Sequence, residues 1–255
     1  MAQLHPITIS SELIDRIDCV YATQSVLLDR NDLTYRRLIR DCNQLKHADA
    51  VEGWIIHGLC ELLVGDDVSL RSCFDNARAV AGASNDKCDF MFMQALIRIG
   101  CRAEALDLFR RIGVPEAGLF GQCAVIGEWI GAYELVDTMH QRAQEMNLEF
   151  QSDADFAQIH RIRDVLHADG ISDADVAQFL DIASRPLWER RLIQKGHNAC
   201  VLDLDGRDVV MVTFDVDADG TTLADMTFEL AEMVAVVPEW KSTFHVSYRA
   251  YQDGR

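Results

Sequence analysis

Residues 50–81, AVEGWIIHGLCELLVGDDVSLRSCFDNARAVA, show the pattern that governs most of the chain. Their apolar side chains recur at intervals of three and four residues, as they do along one face of a helix. Gly65-Asp66-Asp67 interrupts the pattern, because glycine permits a left-handed backbone after a helix and aspartate caps the next one. Two consecutive helices, over 50–63 and 69–81, are therefore predicted.

The same periodicity extends from about Ser10 to Leu192. With the two helices above, it predicts helices at 10–28, 32–46, 86–99, 102–112, 117–130, 132–146, 153–168, 173–183 and 186–193. Few strand-like alternations interrupt this region. A predominantly helical domain over residues 1–193 follows from the pattern.

The pattern changes after about Lys195. Two β-branched or apolar runs, 199–204 and 209–214, flank Asp205-Gly206, a dipeptide typical of tight hairpin turns. A helical stretch over 223–237 and an alternating stretch over 242–251 complete a small, acidic ββαβ domain at 194–255. The predicted fold class is α+β, mostly α.

The helical hairpins align on Gly65, Gly100 and Gly131, which are separated by 35 and then 31 residues. Each aligned hairpin carries large apolar and small residues, and the second also carries a late proline: Trp54, Gly58, Phe74, Ala77, Leu96, Ala105, Phe109, Pro115, Tyr133, Met139 and Ala143. This pattern resembles the tetratricopeptide repeat family over about residues 50–146, although His57, Leu70 and Val136 depart from the family's preferences. A generic helical bundle is the alternative interpretation.

The resemblance implies an antiparallel helical-hairpin superhelix with an extended concave groove that binds a partner segment. The first helix of each hairpin would line that groove. The residues expected to contact a partner are Glu52, Ile55, Leu59, Phe90, Gln94, Arg98, Val125 and Trp129. Alternatively, these side chains pack against neighbouring helices.

The charge restricts the class of partner. With 24 Lys+Arg against 41 Asp+Glu, the formal net charge is −17, which disfavours binding to nucleic acid and favours a protein with basic or amphipathic segments. No stretch is apolar enough to span a membrane, and the first residues lack the pattern of a signal peptide. Eight scattered cysteines without a CxxC pair indicate free thiols in a reducing compartment. A cytoplasmic, bacterial protein is expected, the origin being inferred from the preference for Arg over Lys.

No catalytic signature is present, so no catalytic residue and no cofactor are predicted. The sharpest local motif is Asp215-Val-Asp217-Ala-Asp219-Gly220, which resembles the first half of an EF-hand calcium loop. Its three aspartates are candidate ligands for calcium or magnesium, but Met226 replaces the final bidentate Glu of that loop, and a solvated connection between strand and helix is the alternative.

Two further motifs point to chemistry more weakly. Asp203-Leu-Asp205-Gly206 resembles the nucleophile motif of haloacid-dehalogenase-like phosphatases, although a hairpin turn explains the same residues. His160, Asp164 and His167 share one helix face and could contribute to a metal site, but no further ligand is evident beside them.

The sequence thus favours a non-enzymatic interaction scaffold or adaptor, of which a secretion-chaperone-like protein is one form. One alternative is a divalent-cation-dependent module or enzyme that uses the C-terminal aspartates. The other is a self-associating structural protein, because an exposed helix face or sheet edge can form a homo-oligomer.

Overall fold

The computed structural model describes residues 6–82, 86–112, 117–147, 155–238 and 240–252. These residues form helices and one small three-stranded sheet, which confirms the predicted fold class of α+β, mostly α. They divide into two compact units, one of residues 1–99 with 191–193 and one of residues 100–190 with 194–255. None of the described helices is long and apolar enough to cross a membrane.

The helices of the first unit are α1 (Pro6–Thr23), α2 (Leu33–Ala48), α3 (Ala50–Val64), α4 (Asp67–Ala81) and α5 (Asp86–Arg98). Helix α3 is the central element and packs against the other four. A Cβ atom at Gly58 of α3 would lie 2.8 Å from Cε2 of Phe74 in α4, so the two helices cross closely at the glycine. Both Gly58 and Phe74 belong to the sequence pattern of the aligned helical hairpins.

The second unit contains α6 (Arg102–Ile112), α7 (Ala117–Ile130), α8 (Tyr133–Glu145), α9 (Phe156–Ala168), α10 (Asp173–Glu189), β1 (Gln194–Leu204), β2 (Arg207–Val216), α11 (Gly220–Ala235) and β3 (Phe244–Ala250). The strand order is β1-β2-β3, with an antiparallel β1–β2 pair and a parallel β2–β3 pair joined through α11. The predicted ββαβ arrangement is thereby confirmed.

The β1–β2 hairpin turns at the predicted Asp205-Gly206. Both residues have positive φ angles, 55° and 80°, which is the backbone of a type I′ turn. Asp203 stabilises the turn, because its Oδ1 atom accepts a hydrogen bond from the Gly206 amide at 2.7 Å. These contacts favour the hairpin turn over a phosphatase nucleophile as the role of Asp203 and Asp205.

The predicted boundary between residues 193 and 194 differs from the division of the compact units. The sheet belongs to the same unit as α6–α10, because α9 packs on β1 and β2, and α10 packs on α11. Aromatic contacts of Phe179 in α10 with Trp240 and Phe244 extend this core. The predicted hairpin of 86–99 with 102–112 is divided between the units, since α5 belongs to the first and α6 to the second.

Two predicted helix boundaries are wrong. The helix predicted at 10–28 ends at Thr23 as α1, and the helices predicted at 173–183 and 186–193 form one helix, α10. Pro186 lies inside α10 without ending it, because Ala183, Pro186 and Leu187 continue the buried face of the helix. Pro115, the late proline of the repeat pattern, lies outside the described residues.

Candidate functional site

A groove of about 460 Å³ runs along the exposed side of α2 in the first unit. Successive helical turns line it, so that its residues form two neighbouring rows along the helix. Among the described residues, the lining consists of Tyr35, Arg36, Ile39, Arg40, Asn43, Gln44 and His47. The groove therefore combines an apolar floor with cationic and amide groups.

Arginines dominate the charge of this α2 groove. No ion-pair partner of Arg36 is found in the described part of the chain, and its side chain is exposed. Arg40 donates to Oδ1 of Asp41 at 3.0 and 3.1 Å, and Asp41 also accepts a 2.8 Å hydrogen bond from Arg16. Burial raises the pKa of Asp41, but the bonds from Arg16 and Arg40 outweigh it and leave the pKa below its ordinary value. Arg36 is thus the cation most available to a ligand.

Buried Glu61 of α3 holds the inner side of the groove in place. Its side chain accepts hydrogen bonds from the hydroxyl of Tyr35 at 2.9 Å, from Arg30 at 3.2 Å, and makes a 3.0 Å contact with Nε2 of His57. Burial raises the pKa of Glu61, but these three partners lower it below its usual value, so the carboxylate is ionised. The Tyr35 ring is consequently fixed at the groove floor.

The predicted partner-binding residues occupy several environments and do not line the α2 groove. In the first unit, Ile55 and Leu59 are 1% and 5% exposed, so they pack in the core and are inaccessible to a partner while this unit stays folded. Glu52 binds Lys87 at 2.7 and 2.8 Å, and Arg98 lies 4.3 Å over the ring of Tyr21.

The remaining predicted contact residues are partly exposed. Phe90 and Gln94 lie on α5 of the first unit, whereas Val125 and Trp129 lie on α7 of the second. Trp129 stacks on His197, with 5.3 Å between the ring centroids. Partner binding by these four residues stays a prediction.

Two aspartates of the predicted calcium loop make contacts that stabilise the fold. Asp215 accepts bonds from Arg249 at 2.7 and 3.1 Å, and Asp219 caps α11 by accepting from the Thr222 amide at 2.8 Å. Asp217 is exposed. These contacts favour the alternative interpretation, a solvated connection between strand and helix.

A different set of metal-ligating side chains converges in the second unit. Asp137 and His140 of α8 and His160 of α9 each offer a ligand atom within 4.8 Å of the other two, the one such group of three found among the described residues. The sequence analysis singled out His160 but grouped it with Asp164 and His167. The missed signal was the Asp137-x-x-His140 spacing, which places both side chains on one helix face.

Contacts between helices shape this Asp–His–His cluster. Asp137 is 3% exposed and contacts His160 and Arg163 of α9. His140 stacks on Phe156, with ring centroids 3.9 Å apart. Burial and the neighbouring His160 lower the pKa of His140, while Asp137 opposes the shift. His140 is consequently a neutral imidazole at neutral pH.

Two buried basic side chains organise the rest of the second unit. Arg102 of α6 is 0% exposed and donates to the Trp129 carbonyl at 3.1 Å and to Gln194 Oε1 at 2.8 Å. The ring nitrogens of His197 in β1 are buried and have no hydrogen-bond partner among the described residues. Burial, with a further contribution from Arg102, lowers the pKa of His197 to about 3. These residues support the fold.

One side of α11 exposes a large apolar ring among alanines, with the exposed acidic residues Asp225 and Glu232 beside them. Phe228 is 73% exposed, and Ala224, Ala231 and Ala235 lie on the same side of the helix. Met226 and Leu230 face the opposite way and are buried. The exposed face is therefore a second candidate interaction surface.

No protein-family model matches the chain, and no curated protein or solved structure matches it either.

Proposed function

We propose that the protein is a non-enzymatic interaction adaptor that binds an acidic, partly apolar segment of a partner protein in the α2 groove. One observation carries this proposal: exposed Arg36 has no ion pair among the described residues and lies beside Ile39 in a groove of about 460 Å³. An unpaired arginine next to apolar surface offers a charge-assisted hydrogen bond and hydrophobic contact to one ligand.

The dimensions suit a short peptide segment. Tyr35 and His47 mark the ends of the groove and are twelve residues apart in α2, which corresponds to about 18 Å of helix. That length accommodates about five residues of an extended chain, or about three turns of a helix. The row of Tyr35 and Ile39 would contact apolar side chains, and the row of Arg36 and Arg40 would contact carboxylates.

Local charge favours an acidic partner, although the net charge of −17 suggested a basic one. At physiological ionic strength the screening length is about 8 Å, so a bound segment responds mainly to the charges that line its own groove. The acidic remainder of the chain still repels most acidic proteins. The apolar row is what would select a partner segment that also carries hydrophobic residues.

The groove suits one specific kind of adaptor, a chaperone-like protein. Holding an amphipathic segment would keep its apolar residues from aggregating until the segment reaches its destination. No disulfide bond joins any of the eight cysteines, all of which lie among the described residues, and this agrees with the predicted cytoplasmic location of such an activity.

Fluorescence anisotropy with two labelled peptides tests the proposal. One peptide is an amphipathic sequence of Glu and Leu, and the other has every Glu replaced by Lys. We expect the acidic peptide to bind the wild-type protein, and Arg36→Glu to weaken that binding at least about tenfold, or about 1.4 kcal/mol. Arg37→Glu is the matched control, because Arg37 is exposed on the same helix but does not line the groove.

Equal loss of affinity in the Arg36→Glu and Arg37→Glu variants would show that net charge alone governs binding. Preference for the Lys peptide would contradict the assignment of an acidic partner. Circular dichroism melting of both variants controls for damage to the fold.

Self-association through the exposed face of α11 is the second candidate function. Large exposed apolar groups on one helix face are typical of interaction surfaces. The proposed occupant of the α11 face is the same face of a second copy, which would give a symmetric dimer. Light scattering should then show a mass above the 28.7 kDa of one chain that rises with concentration.

We expect Phe228→Glu to abolish this association, because it places a charge at the centre of the apolar face. Val68→Glu is the control, since Val68 is 79% exposed but lies in the first unit. A wild-type protein that stays monomeric at high concentration would contradict the second candidate.

A further inference from the structure

We propose that Asp137, His140 and His160 form a binding site for a first-row transition-metal dication, with Zn²⁺ as the expected occupant. Helix α8 supplies Asp137 and His140 from one face, and the adjacent α9 supplies His160. This site is independent of the α2 groove, since it lies within the second unit.

The separations are compatible with coordination after a small adjustment. One ligand atom from each residue lies within 4.8 Å of the other two. Around a tetrahedral Zn²⁺ with bonds of about 2.0–2.2 Å, neighbouring ligand atoms are about 3.3 Å apart. The ligand atoms must therefore approach one another by up to about 1.5 Å for one Zn²⁺ ion to bind all three.

The Asp137 carboxylate is already held in one orientation. Its Oδ2 atom accepts a 2.8 Å hydrogen bond from Gln141 and contacts Arg163, whereas Oδ1 contacts Nδ1 of His160. The side chain is only 3% exposed. A neutral partner such as Gln141, which fixes a ligand from behind, is typical of metal sites, because it reduces the entropy lost on binding.

His140 is oriented as well. Its ring stacks nearly parallel to Phe156, at an interplanar angle of 14°, and the side-chain amide of Gln144 lies 3.2 Å from its Nε2 atom. The Gln144 amide nitrogen faces Nε2 in this contact, and a 180° rotation of the amide lets its oxygen accept the Nε2 proton, which leaves the Nδ1 lone pair for a metal.

The donor set selects the class of metal. Two imidazole nitrogens and one carboxylate oxygen suit Zn²⁺ and its first-row neighbours, whereas Ca²⁺ and Mg²⁺ prefer oxygen ligands. Three protein ligands leave a fourth position for water. The side chain of His160 is 36% exposed, which gives an ion access from solvent.

The competing explanation is a salt-bridge network in which Asp137 joins His160 and Arg163 across the two helices. Such a network does not require His140, whose ring nonetheless converges on the same point. The two explanations also differ for Arg163. Its positive charge stabilises the salt-bridge network but repels a dication, so removing that charge should strengthen metal binding.

Titration of the full-length protein with Co²⁺, followed by visible absorption, tests the site. We expect one Co²⁺ per chain, ligand-field bands that disappear on addition of Zn²⁺, and no thiolate-to-cobalt charge-transfer band from the eight cysteines. His140→Ala and His160→Ala should each weaken binding at least about 100-fold. His167→Ala is the matched control, because His167 is exposed on α9 and lies outside the cluster.

For Arg163→Gln we expect the opposite effect, an affinity for Co²⁺ about tenfold higher than that of the wild type. It keeps the proposal testable if a histidine variant does not fold, which circular dichroism will show. Absence of Co²⁺ binding at stoichiometric concentrations would overturn the proposal. Binding through thiolates, equal binding by the wild-type and histidine variants, or unchanged or weaker binding by Arg163→Gln would overturn it as well.

Discussion

Each unit buries an ionisable side chain, but the two units provide very different partners for it. In the first unit, Glu61 is 4% exposed and contacts three donors, among them Arg30. In the second unit, the His197 ring nitrogens have no hydrogen-bond partner among the described residues. A buried group keeps its charge where hydrogen bonds and ion pairs offset the hydration that it loses on burial.

The pKa shifts follow the same division. Hydrogen bonds lower the pKa of Glu61 despite its burial, so that residue is a carboxylate. Burial lowers the pKa of Arg102 to about 10 and that of His197 to about 3, which leaves the guanidinium charged and the imidazole neutral at pH 7. Arg102 therefore stabilises the second unit through its hydrogen bonds, whereas His197 makes the stability of that unit depend on pH.

The largest expected effect is on Arg102. Arg102→Leu leaves the Trp129 carbonyl and the Gln194 side chain without their donor, so we expect the free energy of unfolding to fall by about 3 kcal/mol. Arg110→Leu, at an exposed position on the same helix, should change it by less than about 0.5 kcal/mol. Urea denaturation followed by circular dichroism measures both, and similar midpoints for the two variants would contradict the role given to Arg102.

The next effect concerns the pH dependence that His197 confers. Its pKa is about 3 in the folded state and 6.5 as the reference value, so between these pH values the unfolded state binds a proton that the folded state does not. The free energy of unfolding therefore falls as the pH is lowered, by about 2 kcal/mol between pH 7 and pH 5. His197→Phe keeps a ring against Trp129 and removes this contribution.

Urea denaturation of the wild type and of His197→Phe at several pH values measures the contribution of His197 alone. The other titrating groups contribute equally to the unfolding free energy of both proteins. The difference in unfolding free energy should change steadily in favour of the variant below about pH 6.5. A difference that is constant with pH would show that His197 has a hydrogen-bond partner when protonated.

Local sequence patterns predicted most of the secondary structure. The Asp205-Gly206 turn and the helical positions of Gly58 and Phe74 follow from backbone and packing requirements within short segments. The two helices predicted at 173–183 and 186–193 are one helix, because a local rule does not register the buried surface that holds both halves of α10 together. The division of the units likewise depends on tertiary contacts between elements distant in the sequence.

The candidate sites were less predictable for the same physical reason. The Asp–His–His cluster combines a spacing within α8 with a histidine on the next helix, and only the packing of α8 on α9 brings them together. Ile55 and Leu59 follow the apolar periodicity of a helix, which does not distinguish a residue that faces a groove from one that faces the core. The basic character of the α2 groove was concealed by a net charge of −17.

The most direct test of the proposed function is a charge exchange between the groove and its ligand. Anisotropy would compare the Glu and Lys peptides on the wild-type protein and on the Arg36→Glu/Arg40→Glu variant. We predict that the wild type prefers the Glu peptide, and that the variant loses this peptide and gains affinity for the Lys peptide. A variant whose preference between the two peptides equals that of the wild type would contradict binding at the α2 groove.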